Sequence, residues 1–309
     1  MGAWSENTGL VRIGKDVHLY CGLVKDRSID PGPMKIPQSK RYFKLLALLI
    51  LTGYVFVVAL AWIFQEKLIF FPRPVAMDFK FENGEEVFLS TTDQVELNAL
   101  FFPAPSDRVI LYFHGNGGSL DSWQLVEQNF RSLGYNFFII DYRGYGKSTG
   151  EISESGLYTD AATAFDFLLR KGFSADKVII FGRSLGTGVA VNLASKRNVR
   201  ALILESPFTS VRQVAVEKFP FLFPSLYIRY QVDNLARINE VKAPLLVIHG
   251  KKDNTIPYRH GLGLYNAFRG QKKMIAVAEG THNNLEGFPG FAEGIGKFLA
   301  ETEPTRPNN

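Results

Sequence analysis

The chain has 309 residues, 46% hydrophobic and 21% charged, with a mean hydropathy of -0.01, which excludes a disordered chain and a polytopic membrane protein. Its net charge of +5 sits at the front. Residues 1–44 hold eight Lys/Arg against four Asp/Glu, so the rest is nearly neutral and offers no basic stripe for nucleic acid. The single cysteine, Cys21, excludes an intrachain disulfide and a cysteine-based metal site.

Residues 1–44 read as a basic tail. Cys21, on the N-terminal side of an apolar run, is a candidate for acylation, although an unmodified thiol is the simpler expectation. Glu6 breaks the N-myristoylation pattern. Met34-Lys35-Ile36-Pro37, followed by basic residues, looks like a second start site, which would make residues 1–33 an extension. Leu45 to Phe64 is an uncharged run of 20 residues, roughly 30 Å as a helix, and is expected to span a membrane. Lys35, Lys40, Arg41 and Lys44 precede it without an acid, which places the N-terminus in the cytoplasm and the long C-terminal part across the bilayer. Cleavage after Ala59-Leu60-Ala61 is the alternative; the run extends through Trp62, Ile63 and Phe64, long for a signal peptide, and favours an uncleaved anchor.

Residues 65–309 are expected to form one domain. Eight runs of strand length follow the anchor: Glu86–Ser90, Val95–Phe102, Val109–Phe113, Asn136–Ile140, Val178–Phe181, Ala201–Leu204, Leu245–Ile248 and Met274–Ala278. The later ones are apolar on both faces, as in a buried parallel sheet. Helices are expected at Leu120–Leu133, Leu157–Lys171, Leu185–Arg197, Tyr258–Phe268 and Phe291–Glu301. The alternation predicts an α/β fold, a doubly wound, mostly parallel, eight-stranded sheet. One connection, about 206–243, is long and rich in Phe and Tyr, and would form a short helical cap over the carboxyl ends of the strands.

Gly182-Arg183-Ser184-Leu185-Gly186 lies between a strand and a helix. There Gly-x-Ser-x-Gly makes a sharp turn that lifts the hydroxyl above the sheet, so Ser184 is the candidate nucleophile. Of five histidines, His18 and His114 precede Ser184, while His249 closes a strand and His260 sits in a helix. His282, in the loop after the last strand, is the candidate base. Asp253, following the Leu245–Ile248 strand, is the candidate orienting acid, with Asp233 and Glu279 as fallbacks. His114-Gly115-Asn116-Gly117-Gly118 follows an early strand and suits an oxyanion hole. The backbone N–H of Leu185 would pair with that of Asn116, or else Gly117, and the Asn116 side chain need not be essential. Gly144-Tyr145-Gly146-Lys147-Ser148 imitates the end of a phosphate loop, but Asp141 stands where its first glycine is required. No metal and no cofactor is expected.

HGNGG at 114–118, DYRGYGKS at 141–148, GRSLG at 182–186, HGKKDNTIP at 249–257 and GTHN at 280–283, in that order, resemble the α/β-hydrolase superfamily, in particular its membrane-anchored abhydrolase-domain serine hydrolases. The resemblance runs from about Phe64 to Ala300 and assigns the same triad, Ser184, Asp253 and His282. It implies hydrolysis of an acyl ester, thioester or lipid. The anchor and the aromatic insertion point to an apolar acyl chain. A peptidase or small-ester hydrolase on the same triad is the alternative within catalysis, and a non-catalytic binding protein the alternative outside it.

Overall fold

The computed structural model describes residues 38–302. Cys21, His18 and the Met34 start site lie outside the described residues. The chain divides after Gly53 into two units. Of the first, the described part belongs to helix α1 (Gln38–Ile63), which is long and apolar enough to cross a membrane and buries none of its residues.

In the second unit a short helix α2 (Gln65–Ile69) leads into β1 (Phe71–Pro72). The antiparallel hairpin β2 (Glu85–Ser90) and β3 (Glu96–Phe102) follows. Next come β4 (Val109–Phe113), β5 (Gly117–Gly118), α3 (Leu120–Trp123) running into a 3₁₀ segment Gln124–Leu133, and β6 (Asn136–Ile140). Helices α4 (Glu154–Arg170) and α5 (Gly186–Lys196) alternate with strands β7 (Val178–Arg183) and β8 (Ala201–Glu205). The connection after β8 carries α6 (Val211–Lys218), two tight 3₁₀ turns and α7 (Asn234–Arg237). Strand β9 (Leu245–Gly250), α8 (Arg259–Ala267), β10 (Lys272–Val277) and α9 (Phe291–Glu301) complete the chain.

Eight strands form one sheet in the order β10-β9-β8-β7-β4-β6-β3-β2, parallel from β10 to β6 and antiparallel at β6–β3 and β3–β2. Burial of both faces explains its continuous apolar strands. In β4, Val109, Leu111 and Phe113 face the layer under α4, α5 and α8, whereas Ile110 and Tyr112 face the layer containing Phe130, Ile295 and Phe298. Alternate residues thus feed two separate cores.

Several boundaries differ from those read in the sequence. Helix α4 begins at Glu154 rather than Leu157, because the Ser153 side chain caps it by accepting from the Gly156 N–H. Strands β7 and β9 run two residues further, through Gly182-Arg183 and His249-Gly250, because pairing with β8 and β10 continues beyond the apolar run. At the sheet edge β10 starts at Lys272, two residues early; it pairs only with β9 and is half-buried, so polar residues fit. The expected helix 120–133 is α-helical for one turn only. The Trp123 indole N–H is bonded back to Gly117 O, and the remainder winds as a 3₁₀ helix ending at left-handed Gly134.

Candidate active site

Strand β7 occupies the middle of the sheet and delivers Ser184 at its carboxyl end, as the Gly-x-Ser-x-Gly pattern requires. Ser184 has φ +51, a left-handed conformation that a non-glycine residue holds only under local constraint. Its N–H is fixed by Glu205 O at 2.9 Å, and its carbonyl accepts the Thr187 hydroxyl at 2.6 Å. The flanking glycines are steric necessities. A Cβ on Gly182 would lie 2.5 Å from Gly186 O, and one on Gly186 would lie 2.1 Å from Phe113 O.

His282 stands in the turn after β10, brought over the sheet by the close approach of that turn to β9, where Lys252 N–H donates to Gly280 O at 2.9 Å. Its Nε2 is 2.9 Å from Ser184 Oγ and its Nδ1 is 2.7 Å from Asp253 Oδ2. Asp253 Oδ1 accepts from the N–H groups of Thr255 and Ile256, each at 2.8 Å, so the carboxylate is held at both oxygens. Burial alone would raise the Asp253 carboxyl, but hydrogen bonds from His249, His282 and the backbone hold it well below the ordinary carboxylate value. An ionised Asp253 fixes the proton on His282 Nδ1 and leaves Nε2 to accept from the hydroxyl. The three candidates therefore form one continuous hydrogen-bonded chain.

The alternatives are elsewhere. Asp233 caps α7 through Ala236 N–H, and Glu279 is exposed and paired with Lys252. His114 is buried 3.5 Å from Asp141 and stacked on Trp123. His260 lies between Thr209 Oγ1 and Glu217. His249 has a role the sequence did not suggest: its buried ring contacts Ile256 O at 2.9 Å and Asp253 Oδ2 at 3.4 Å, packing against the acid from behind.

Asn116 and Leu185 line the same cavity as Ser184, of about 290 Å³. Asn116 is clamped: its O accepts from Phe71 N–H at 2.8 Å and the Tyr145 hydroxyl at 2.9 Å, and its Nδ2 donates to Ile69 O at 3.0 Å. Gly117, the alternative donor, pairs with Phe71 in the small β1–β5 ladder. Leu68 and Ile69 of α2 form one wall; Val211, Val214, Ala215, Lys218 and Phe219 form another, with Phe208 and Ile256. The cavity is apolar but for Asn116, Ser184, Lys218 and Thr255.

Sequence reading also missed the neighbour of the nucleophile. The Arg183 guanidinium is buried, 3.3 Å from Glu205 and 3.4 Å from Glu286. It donates to Asn283 Oδ1 at 3.2 Å and His282 O at 3.4 Å, and lies over the Trp123 ring. It ties the loop bearing His282 to the strand bearing Ser184. Burial pushes the Glu205 carboxyl up to about 7, with Arg183 opposing and Glu286 adding to the rise.

A serine on a sharp turn at the end of a central parallel strand, followed by an acid and a histidine at later strand ends, defines the α/β-hydrolase class. The α/β hydrolase fold family matches residues 108–238. The protein Bem46 of Schizosaccharomyces pombe is 34% identical over 249 residues, 76% of this chain and 82% of its own length. YfhR of Escherichia coli O157:H7 is 30% identical over 270 residues, 81% of this chain and 90% of its own. The chain belongs to this α/β-hydrolase family. Among solved structures, an esterase of Pyrococcus furiosus superposes with a TM-score of 0.63 at 20% identity, covering 75% of this chain and 98% of the esterase. An acetyl xylan esterase from Paenibacillus sp. R4 gives 0.56 at 19% identity, over 74% of this chain and 87% of that one. At these identities the likeness is one of fold.

Proposed function

We propose that the protein is a membrane-anchored serine hydrolase that cleaves acyl esters or thioesters with an apolar chain, without a cofactor. The observation that carries this reading is the unbroken Asp253–His282–Ser184 chain opening into an apolar cavity. His282 Nε2 takes the hydroxyl proton as Ser184 Oγ attacks the carbonyl carbon, and Asp253 stabilises the imidazolium that forms. The N–H groups of Asn116 and Leu185, which carry no hydrogen bond among the described residues, would hold the developing oxyanion. His282 then passes its proton to the leaving alcohol or thiol, and water, deprotonated by the same nitrogen, releases the acid.

Helix α1 serves as a single-pass anchor with its N-terminal side in the cytoplasm, residues 65–309 form the catalytic domain, and the insertion about 206–243 is its cap. The two solved structures named above are esterases, which favours ester over amide chemistry. The test is a series of p-nitrophenyl esters on the full chain in detergent micelles. Turnover should rise with chain length to about eight carbons, by up to about fourfold for each methylene buried at roughly 0.8 kcal/mol. Fastest cleavage of acetate with none of longer chains would remove the lipid reading, and cleavage of aminoacyl amides would favour a peptidase.

A further inference from the structure

The cap contains a segment that the reaction does not use. Residues 219–228, Phe-Pro-Phe-Leu-Phe-Pro-Ser-Leu-Tyr-Ile, carry no charge and are bounded by Lys218 and Arg229. Phe221 and Leu226 are 83% and 82% exposed, Phe223 59% and Phe219 56%. So much adjoining apolar surface marks an interaction face rather than scattered surface residues.

Its neighbours indicate what covers it. The Tyr54 hydroxyl of α1 donates to Phe221 O at 3.0 Å, Arg229 N–H donates to Gln65 Oε1 at 2.7 Å, and the Arg229 guanidinium lies over the Trp62 ring. The segment therefore runs beside the last turns of the apolar helix. Tyr54 precedes Phe64, the end of the apolar run, by ten residues. That is about 15 Å along the axis, and still about 11 Å of depth at a 40° tilt. If α1 crosses a bilayer, the tip of the cap lies at the level of acyl chains.

The backbone is suited to that level, where unpaired N–H groups are costly. Pro220 and Pro224 have none. Those of Phe219, Leu222, Phe223, Leu226, Tyr227 and Ile228 donate to carbonyls of Ala215, Phe219, Pro220, Phe223 and, for the last two, Pro224. Two 3₁₀ turns, with Phe223 at φ +47 between them, thus satisfy six of the segment's eight N–H groups, those of Phe221 and Ser225 excepted, and turn their rings outward. Lys218 and Arg229 flank the segment and Lys67 lies over the Phe64 ring, cations suited to lipid headgroups. Leu68 and Phe219 both line the Ser184 cavity and are themselves exposed.

We propose that residues 219–228 insert into the leaflet that α1 enters from its C-terminal end, and that acyl lipids reach Ser184 laterally, between Leu68 and Phe219, without passing through water. The insertion rests on the reading of α1 as a membrane anchor; the entry route rests in addition on the reading of Ser184 as nucleophile.

The test uses the full chain, with Cys21 replaced by serine, reconstituted in phosphatidylcholine vesicles. Nitroxides are attached at Phe221→Cys, Leu226→Cys and, as an exposed control, Glu293→Cys. The first two should collide with dissolved oxygen in preference to a water-soluble nickel chelate, and the third should show the reverse. Labels at 221 and 226 that behave like the label at 293 overturn the insertion. In parallel, Phe221→Ser/Leu226→Ser should lower turnover of a long-chain acyl lipid in the vesicles by at least about tenfold, two large apolar contacts with the bilayer being lost. Turnover of soluble p-nitrophenyl butyrate should stay within about twofold of the parent, because neither side chain lines the cavity. An equal fall on both substrates overturns lateral entry. No turnover of either substrate by the parent, with oxygen-favoured labels at 221 and 226, overturns the catalytic reading and supports the insertion.

Discussion

Replacing Arg183 by Met should expose how the nucleophile and the histidine loop are held together. Arg183 is the cation nearest Glu205, a carboxylate only 2% exposed, and the same guanidinium reaches His282 O, Asn283 and Glu286. At pH 8, where Glu205 is ionised in the parent, removing one partner of this buried pair leaves an uncompensated charge and costs about 3–5 kcal/mol. For a domain of this size that lowers the melting temperature by roughly 6–20 °C. The companion change Glu205→Leu removes the stranded charge, so Arg183→Met/Glu205→Leu should recover most of the loss, as buried pairs replaced by apolar groups do. Since Glu205 takes up its proton below about pH 7, the single variant's deficit should be larger at pH 8 than at pH 5. Thermal melts of the full chain in detergent at both pH values measure all three quantities. At pH 8, a single variant within about 1 kcal/mol of the parent, or a double variant no more stable than the single, would refute the account of this pair.

Three further outcomes follow from the site. Gly186→Ala should abolish soluble expression or activity, since its Cβ would fall 2.1 Å from Phe113 O, a backbone atom in the central sheet; a fully active variant would contradict this packing. Asn116→Ala keeps the backbone donor but loses the bond to Ile69 O, so a stability loss of about 1 kcal/mol and a moderate fall in kcat are expected, far milder than the loss of a triad residue. Glu205 retains a proton in the folded protein up to about pH 7 and releases it near 4.5 when unfolded. The stability it adds is complete below pH 4.5 and is lost as pH rises through about 7, so Glu205→Gln should flatten that part of the profile; an unchanged slope in denaturant titrations would argue against it.

Legibility from sequence tracked how local each signal was. Strands β4, β6, β7, β8 and β9 announced themselves because a strand buried on both faces must be apolar throughout. The Ser184 turn was equally plain, because its two glycines answer to contacts within the turn and the adjoining strand. Asp253 and His282 could be placed at strand ends by chain order, and the structure brings them within hydrogen-bond reach of each other and of Ser184. The partners of Asn116 were hidden: β1 is two residues long, has no periodicity, and meets β5 some 46 positions along the chain. Arg183 was hidden for the same reason, its contacts in the 282–286 loop lying about 100 residues away. Both are long-range polar contacts, which no local pattern encodes.

The central claim, that Ser184 is an activated nucleophile, is tested most directly by treating the full chain in detergent with a fluorophosphonate and locating the adduct by peptide mass spectrometry. The account predicts one adduct, on the peptide containing Ser184, absent in Ser184→Ala and strongly slowed in His282→Ala, whose turnover should fall by about 10⁶, with a smaller loss for Asp253→Ala. An unlabelled parent protein, or an adduct that persists in Ser184→Ala, would contradict it.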